Sequence, residues 1–409
     1  MTEPNLRDED GSVLMEHNGG HQLPGFFSAN AAHTTATRPR RRKGVILGVL
    51  GGAGIIAALV ATQVGANLGY DQAATRYDET SLVAFELKAE VRADTAELRE
   101  SASAANLILS RESRSIVVEE DLSAALSSSL SEGEEAAGNA DVVVSSDLAP
   151  VMNKPVWFWE LFGRTTELNQ NTEDAERLIT ALQDESGDVV EAEQSITTTG
   201  IAVLQAASTA AAPFETAHLS ARNDAVIELR TAAASVANAT LVDQEAAAAY
   251  ISLQDAGDQV IATEAAELAE KEGPLKNARL EIEAYARSIA PEVLLEFDWS
   301  PVVNGAGYNG SMGGYTTWWW ETPGRANIEL SNSVAEQWPA ARSKALVAHE
   351  IGHAISVKCQ DMYDSSTQDS IEKWATAWAI GMGHTDDANG VWAYGYPPQS
   401  YIDAASGCR

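Results

Sequence analysis

The chain has 409 residues, too many for one compact core, so two or more domains are expected. Acidic residues outnumber basic ones 59 to 27, giving a formal charge of −32, which excludes nucleic acid as a partner and repels the bulk of the chain from anionic lipid. Cys359 and Cys408 are too few for a disulfide scaffold, although one bridge can persist in an oxidising compartment.

Residues 1–43 hold the turn-forming Asn18-Gly19-Gly20, scattered polar residues and few large apolar ones, as expected of a disordered tail. The tail ends in the basic run Arg38 to Lys43. From Gly44 to Leu68 no charge occurs, and Val45, Ile46, Leu47, Val49, Leu50, Ile55, Ile56, Leu59 and Val60 supply apolar surface. A bilayer core takes a helix of about 20 such residues, so 44–68 is predicted to be a single transmembrane helix. The long polar segment ahead of it argues against a cleaved signal peptide. Basic residues precede the stretch and none follows until Arg76, so 1–43 is expected in the cytoplasm and all that follows 68 outside the cell. Gly44, Gly48 and Gly52 form a small-residue face suited to self-association.

Residues 69–290 are rich in Ala, Glu, Ser and Leu. Apolar residues recur at three and four, clearest in Leu275, Ala278, Ile282, Tyr285 and Ile289, and predict several long helices in an elongated bundle or coiled-coil stalk. Breaks are expected at Gly133 to Gly138, at the Pro150 to Pro155 turn, at Pro213 and at Gly273-Pro274. The two later prolines are expected to open new helices. Trp157, Phe158 and Trp159 fall between two helices, where filling the core is the expected use and docking the alternative. No catalytic constellation occurs in this region.

Beyond Pro291 glycine and aromatic residues replace alanine, and 291–409 is expected to be a small α+β domain. Tyr315 to Trp320 and Ala326 to Leu330 read as short strands. Ala345 to Val357 then carries His349, Glu350 and His353 in the pattern H-E-x-x-H. Residues four apart share one face of a helix, so both imidazoles can reach one metal ion, with Glu350 placed to hold a water. A third ligand is needed. Glu372 is the candidate, in an amphipathic stretch marked by Ile371, Trp374, Ala375 and Trp378; Asp361, Asp364 and Asp369 are the alternatives.

His349, Glu350, His353 and Glu372 resemble the gluzincin group of the zincin metallopeptidases, over residues 291–409 only. The resemblance implies a mainly α chain ending in a zincin-like domain, with Zn2+ held by His349, His353 and Glu372. It implies peptide-bond hydrolysis, with Glu350 as general base and an oxyanion donor among His384, Tyr394 and Tyr396. The substrate would be a protein or peptide, paired along an open strand edge at Asn327 to Leu330. The pattern departs at Thr376, where the group often carries an Asp that orients a ligand histidine; such a loss is expected to weaken activity. The competing reading is a structural or adhesive helical ectodomain whose terminal domain is degenerate. Outside the cell Cys359 and Cys408 are expected to pair, closing a loop around Glu372, His384, Tyr394 and Tyr396; ligation of the metal by Cys359 is the alternative.

Overall fold

The computed structural model describes residues 45–111 and 115–409, and side chains from residue 54 onward. The tail over 1–43 and the Gly44–Gly48–Gly52 face therefore lie outside the described residues. The chain is mainly helical, with one small sheet. Helix α1 (Val45–Leu109) takes in both the uncharged stretch and the start of the Ala-rich region. Among the described residues no helix is long and apolar enough to cross a membrane. Gly, Ala, Thr, Gln and Asn dilute the stretch from Gly54 to Leu68.

The chain divides into two units, Met1–Gly65 and Ala66–Arg409. In the second, α1 is joined by α2 (Glu120–Val144), α3 (Phe158–Ala217), α4 (Asn223–Ala237) and α5 (Gln244–Glu270) in a bundle. Val91, Leu98, Ile108, Leu126, Leu182, Val189 and Ile196 are buried in its core among many alanines. Small residues let these helices approach closely. Gly133 does not break α2 as expected; a Cβ there would meet Ile196 of α3 and Leu98 of α1. Pro213 does not open a helix either, but lies inside the last turns of α3. Its missing N–H forfeits one backbone bond, while Ala211 and Phe214 beside it pack on the bundle. Gly273-Pro274 does precede a helix, α6 (Lys276–Ile289).

The aromatic triplet was expected to fill the core, and only Phe158 turns inward. Trp157 and Trp159 are 55% and 57% exposed and stack on one another outside. Consecutive residues step about 100° around a helix, so three in a row cannot share one buried face.

A second core begins ahead of the expected boundary at 291, because α6 gives Ile282 and Ala286 to it rather than to the bundle. The sheet follows: β1 (Leu294–Ser300), β2 (Gly314–Trp318) and β3 (Arg325–Ser331), in the order β1-β3-β2. Strand β1 is parallel to β3 and β2 antiparallel to it. Asn327 to Leu330 thus lies in the central strand, hydrogen-bonded on both sides, and is not the open edge that was expected. The edge nearest the motif helix belongs to β2. Then come α7 (Asn332–Glu336), α8 (Ala341–Ser356), α9 (Gln368–Gly381), α10 (Val391–Tyr394) and α11 (Gln399–Ala405). Helix α8 buries Val347, Ile351 and Ile355, and α9 buries Trp374 and Trp378. A Cβ on Gly352 would stand 2.7 Å from the Ala375 carbonyl oxygen, so glycine is what lets the two helices cross. Cys359 and Cys408 form a disulfide.

The two cores meet on polar ground. Asn223, opening α4, donates from Nδ2 to the Ala326 carbonyl of β3 (3.0 Å). Lys271, just past α5, is buried between Glu267 (3.4 Å) and Glu283 of α6 (3.3 Å).

Candidate metal centre

Helix α8 aims His349 and His353 the same way, and both are buried with Glu350 between them. Helix α9 brings Glu372 in from the side. Glu372 Oε2 lies 3.2 Å from His349 Nε2 and 3.1 Å from His353 Nε2, and the two Nε2 atoms are 3.2 Å apart. Among the described residues this is the one His/Cys/Asp/Glu group whose donor atoms converge for a metal ion. The sequence alternatives do not reach it. Asp364 accepts from Ser366, Asp369 pairs with Lys373, and Asp361 is exposed. Cys359 is committed to its disulfide.

The donor set fits a cation. His349 Nδ1 donates to the Asn389 carbonyl (3.0 Å), and this bond assigns the proton to Nδ1 and leaves a lone pair on Nε2. That lone pair points at a second imidazole nitrogen and a carboxylate oxygen, an arrangement that a positive ion satisfies. Ligand atoms about 2.0–2.1 Å from a tetrahedral zinc stand roughly 3.3 Å apart, close to the spacing found here. Two imidazoles and a carboxylate suit zinc and its first-row neighbours.

Electrostatics agree with the geometry. Burial pushes the Glu372 carboxyl up, yet its contacts with the His349 and His353 rings, which attract it once they are protonated, hold it well below the usual carboxylate range. Burial pulls His349 down, but its bond to Glu372 and the charges of Glu350 and Glu372 outweigh that and raise it. The site as built holds negative charge against two imidazoles.

Glu350 Oε2 accepts from the Thr316 hydroxyl of β2 (2.7 Å). Gly314, on the same strand, leaves the space that its carboxylate occupies; a Cβ there would overlap it. Trp318 stacks flat on His353 at 5.3 Å, and Tyr394 stacks on His349 at 5.9 Å. Between β2 and Tyr394 opens a cleft of ≈ 160 Å³, lined by Gly314, Thr316, Trp318, Gln368 and Tyr394 with the three acid and imidazole groups of α8. A larger cavity of ≈ 450 Å³ lies elsewhere, among Arg222, Glu267, Glu296 and Arg325 at the junction of the two cores.

The three candidate oxyanion donors part company. Tyr394 lines the cleft, its hydroxyl pushed up to about 12 by burial and by Glu372 and Glu350. His384 does not line the cleft; its Nε2 bonds the Tyr285 hydroxyl on α6 (2.7 Å), and burial lowers its pKa. Tyr396 is exposed and also outside the cleft. Thr376 Oγ1 reaches only 3.5 Å from His349 Nδ1, so the Asn389 carbonyl orients that ring. Asn389 is itself fixed, giving its amide to the His384 carbonyl (2.8 Å) and accepting from Val391 N–H (3.0 Å). Thr316 and Trp318 were read only as part of a strand, and Asn389 was not singled out. The adjacent Gly313-Gly314, a hint of close backbone approach, was the one signal for the first two.

Neither a family model, nor a curated protein, nor a solved structure matches the chain.

Proposed function

We propose that the C-terminal core is a zinc-dependent peptidase of the gluzincin kind, presented outside the cell on the helical bundle and anchored by residues 44–68. The observation that carries the reading is the convergence of His349 Nε2, His353 Nε2 and Glu372 Oε2 beside an unligated Glu350 on the same cleft. His349, His353 and Glu372 would hold the ion, which when bound supplies Lewis acidity and lowers the pKa of a water toward neutrality.

The remaining steps belong to the chain's own groups. Glu350, steadied by Thr316, takes the proton of the attacking water and passes it to the leaving amine. Tyr394 keeps its hydroxyl proton at neutral pH and can donate it to the developing oxyanion. The open edge of β2 offers backbone groups to an extended peptide, giving affinity with little sequence choice. The rival reading of a degenerate domain leaned on the Ala-rich helical region and on Thr376. A backbone carbonyl that orients His349 removes the second support and leaves the first.

For the anchor, the support is the uncharged stretch, the basic run ahead of it and the exposure of Ile55, Ile56, Leu59, Val60 and Val64 on α1. Lipid is the natural cover for such a face.

The decisive assay follows an unstructured protein substrate with the full chain, with zinc and with chelator. Glu350→Gln should keep its metal and lose about 10²- to 10⁴-fold in rate, the share of a general base. Glu372→Ala should lose the metal. Undiminished turnover in the first variant, or unchanged metal content in the second, refutes the assignment.

A further inference from the structure

Glu372 has two carboxylate oxygens, and they have different partners. Oε2 is the one that converges with the imidazoles, 3.2 Å from His349 Nε2 and 3.1 Å from His353 Nε2. Oε1 instead accepts a hydrogen bond from the Gln368 side-chain amide, with Nε2 at 2.7 Å.

The chain builds this contact locally. Thr367 caps α9, its hydroxyl accepting from the Ser370 N–H (3.3 Å), so the helix opens at Gln368. Gln368 and Glu372 are four residues apart on one face, where an amide and a carboxylate can meet. The neighbouring polar side chains of α9 are engaged otherwise. Lys373 pairs with Asp369, and Thr376 Oγ1 donates to the Glu372 backbone carbonyl (2.8 Å). Gln368 is exposed at the wall of the cleft and fills no core, so packing does not account for its place.

Which oxygen is left free matters to a hydrolytic metal centre. Such a centre takes three protein ligands and keeps the fourth position open. A carboxylate can give a cation one oxygen or both, and a second oxygen would crowd the open position. An amide N–H on Oε1 withholds that oxygen without adding charge.

We infer that Gln368 is a positioning residue that makes Glu372 a one-oxygen ligand and so keeps the fourth position of the metal centre open. This rests on the metal-centre reading above.

The full chain is loaded with Co2+ in place of zinc, and its visible absorption is compared with that of Gln368→Met, which has a side chain of like length and no donor. Four-coordinate cobalt absorbs strongly, and a fifth donor weakens the bands. Wild type should give the strong spectrum and Gln368→Met the weak one. Zinc affinity of the variant, read by competition with a chelator, should be about 10- to 100-fold lower, the usual loss when a group that orients a ligand is removed. Asp369→Asn, in the same turn but bonded to Lys373, is the control and should keep the wild-type spectrum. Equal spectra for wild type and Gln368→Met overturn the inference, whatever the affinity, and leave the metal centre standing. A spectrum weakened as much by Asp369→Asn as by Gln368→Met assigns the effect to the start of the helix and overturns it too. A wild type that binds no cobalt overturns the metal centre and the inference with it.

Discussion

Glu350 stands where it does because residue 314 has no side chain. Its carboxylate lies against the Gly314 backbone, and the Thr316 hydroxyl two residues along the same strand fixes one oxygen. Gly314→Ala should therefore push the carboxylate aside without touching the three converging donors. The expected result is unchanged metal content with a rate lower by about 10²-fold, the effect of roughly 1 Å of misplacement at a reacting group. Metal analysis beside the peptidase assay checks both halves. At this scale the sequence was legible where chemistry follows spacing along one helix, as in His349, Glu350 and His353. Thr316, Trp318 and Asn389 were not legible, because β2 and the loop after α9 reach the site only through tertiary packing. The same packing takes His384 away to Tyr285, although it is close to Glu372 in sequence.

Among the helices, glycine does two different jobs that sequence alone does not separate. Gly200 of α3 faces the branched side chain of Val242, whereas Gly187 of the same helix has nothing near the place of its missing Cβ. Gly200→Val should overpack the bundle and cost about 1–3 kcal/mol. Gly187→Ala should stabilise by up to about 1 kcal/mol through helix propensity. Thermal melts of the two variants should move in opposite directions. The Cys359–Cys408 bond joins the end of α8 to the stretch beyond α11 across a sequence separation of 49. Removing it with Cys359→Ser/Cys408→Ser should cost about 4 kcal/mol on the chain-entropy account. Free, alkylatable thiols in the unreduced wild type would contradict the bond. Long Ala-rich periodicity made the bundle legible, and aromatic and threonine content made β2 so. Strand β1 was missed although Leu295, Glu296, Phe297, Asp298 and Trp299 alternate as a half-buried strand should, with Leu295 and Phe297 buried on one face.

For the molecule beyond Ala66, the joint between bundle and C-terminal core decides whether the two behave as one. Lys271 is almost wholly buried between Glu267 and Glu283, and Trp299 of β1 donates its indole N–H to Glu283 (3.2 Å). Lys271→Met would leave two buried carboxylates facing each other. Loss of one member of such a group costs about 3–5 kcal/mol, softened here by Arg222 on Glu267 and Arg287 on Glu283. Both cores should lose stability together, seen as one calorimetric transition moved down; a shift confined to one of two transitions would show them independent. The sequence boundary at 291 missed this joint because nothing local in α6 tells which neighbour it serves.

That joint also bears on how such a chain can change over generations. A segment cut at residue 291 would leave behind α6 with the Glu283 carboxylate that Trp299 donates to, together with the Asn223 amide that Ala326 accepts from. The C-terminal core is not a portable cassette. Recombination could move it into another protein only with α4, α5 and α6 still attached, so its inheritance is tied to that of the bundle.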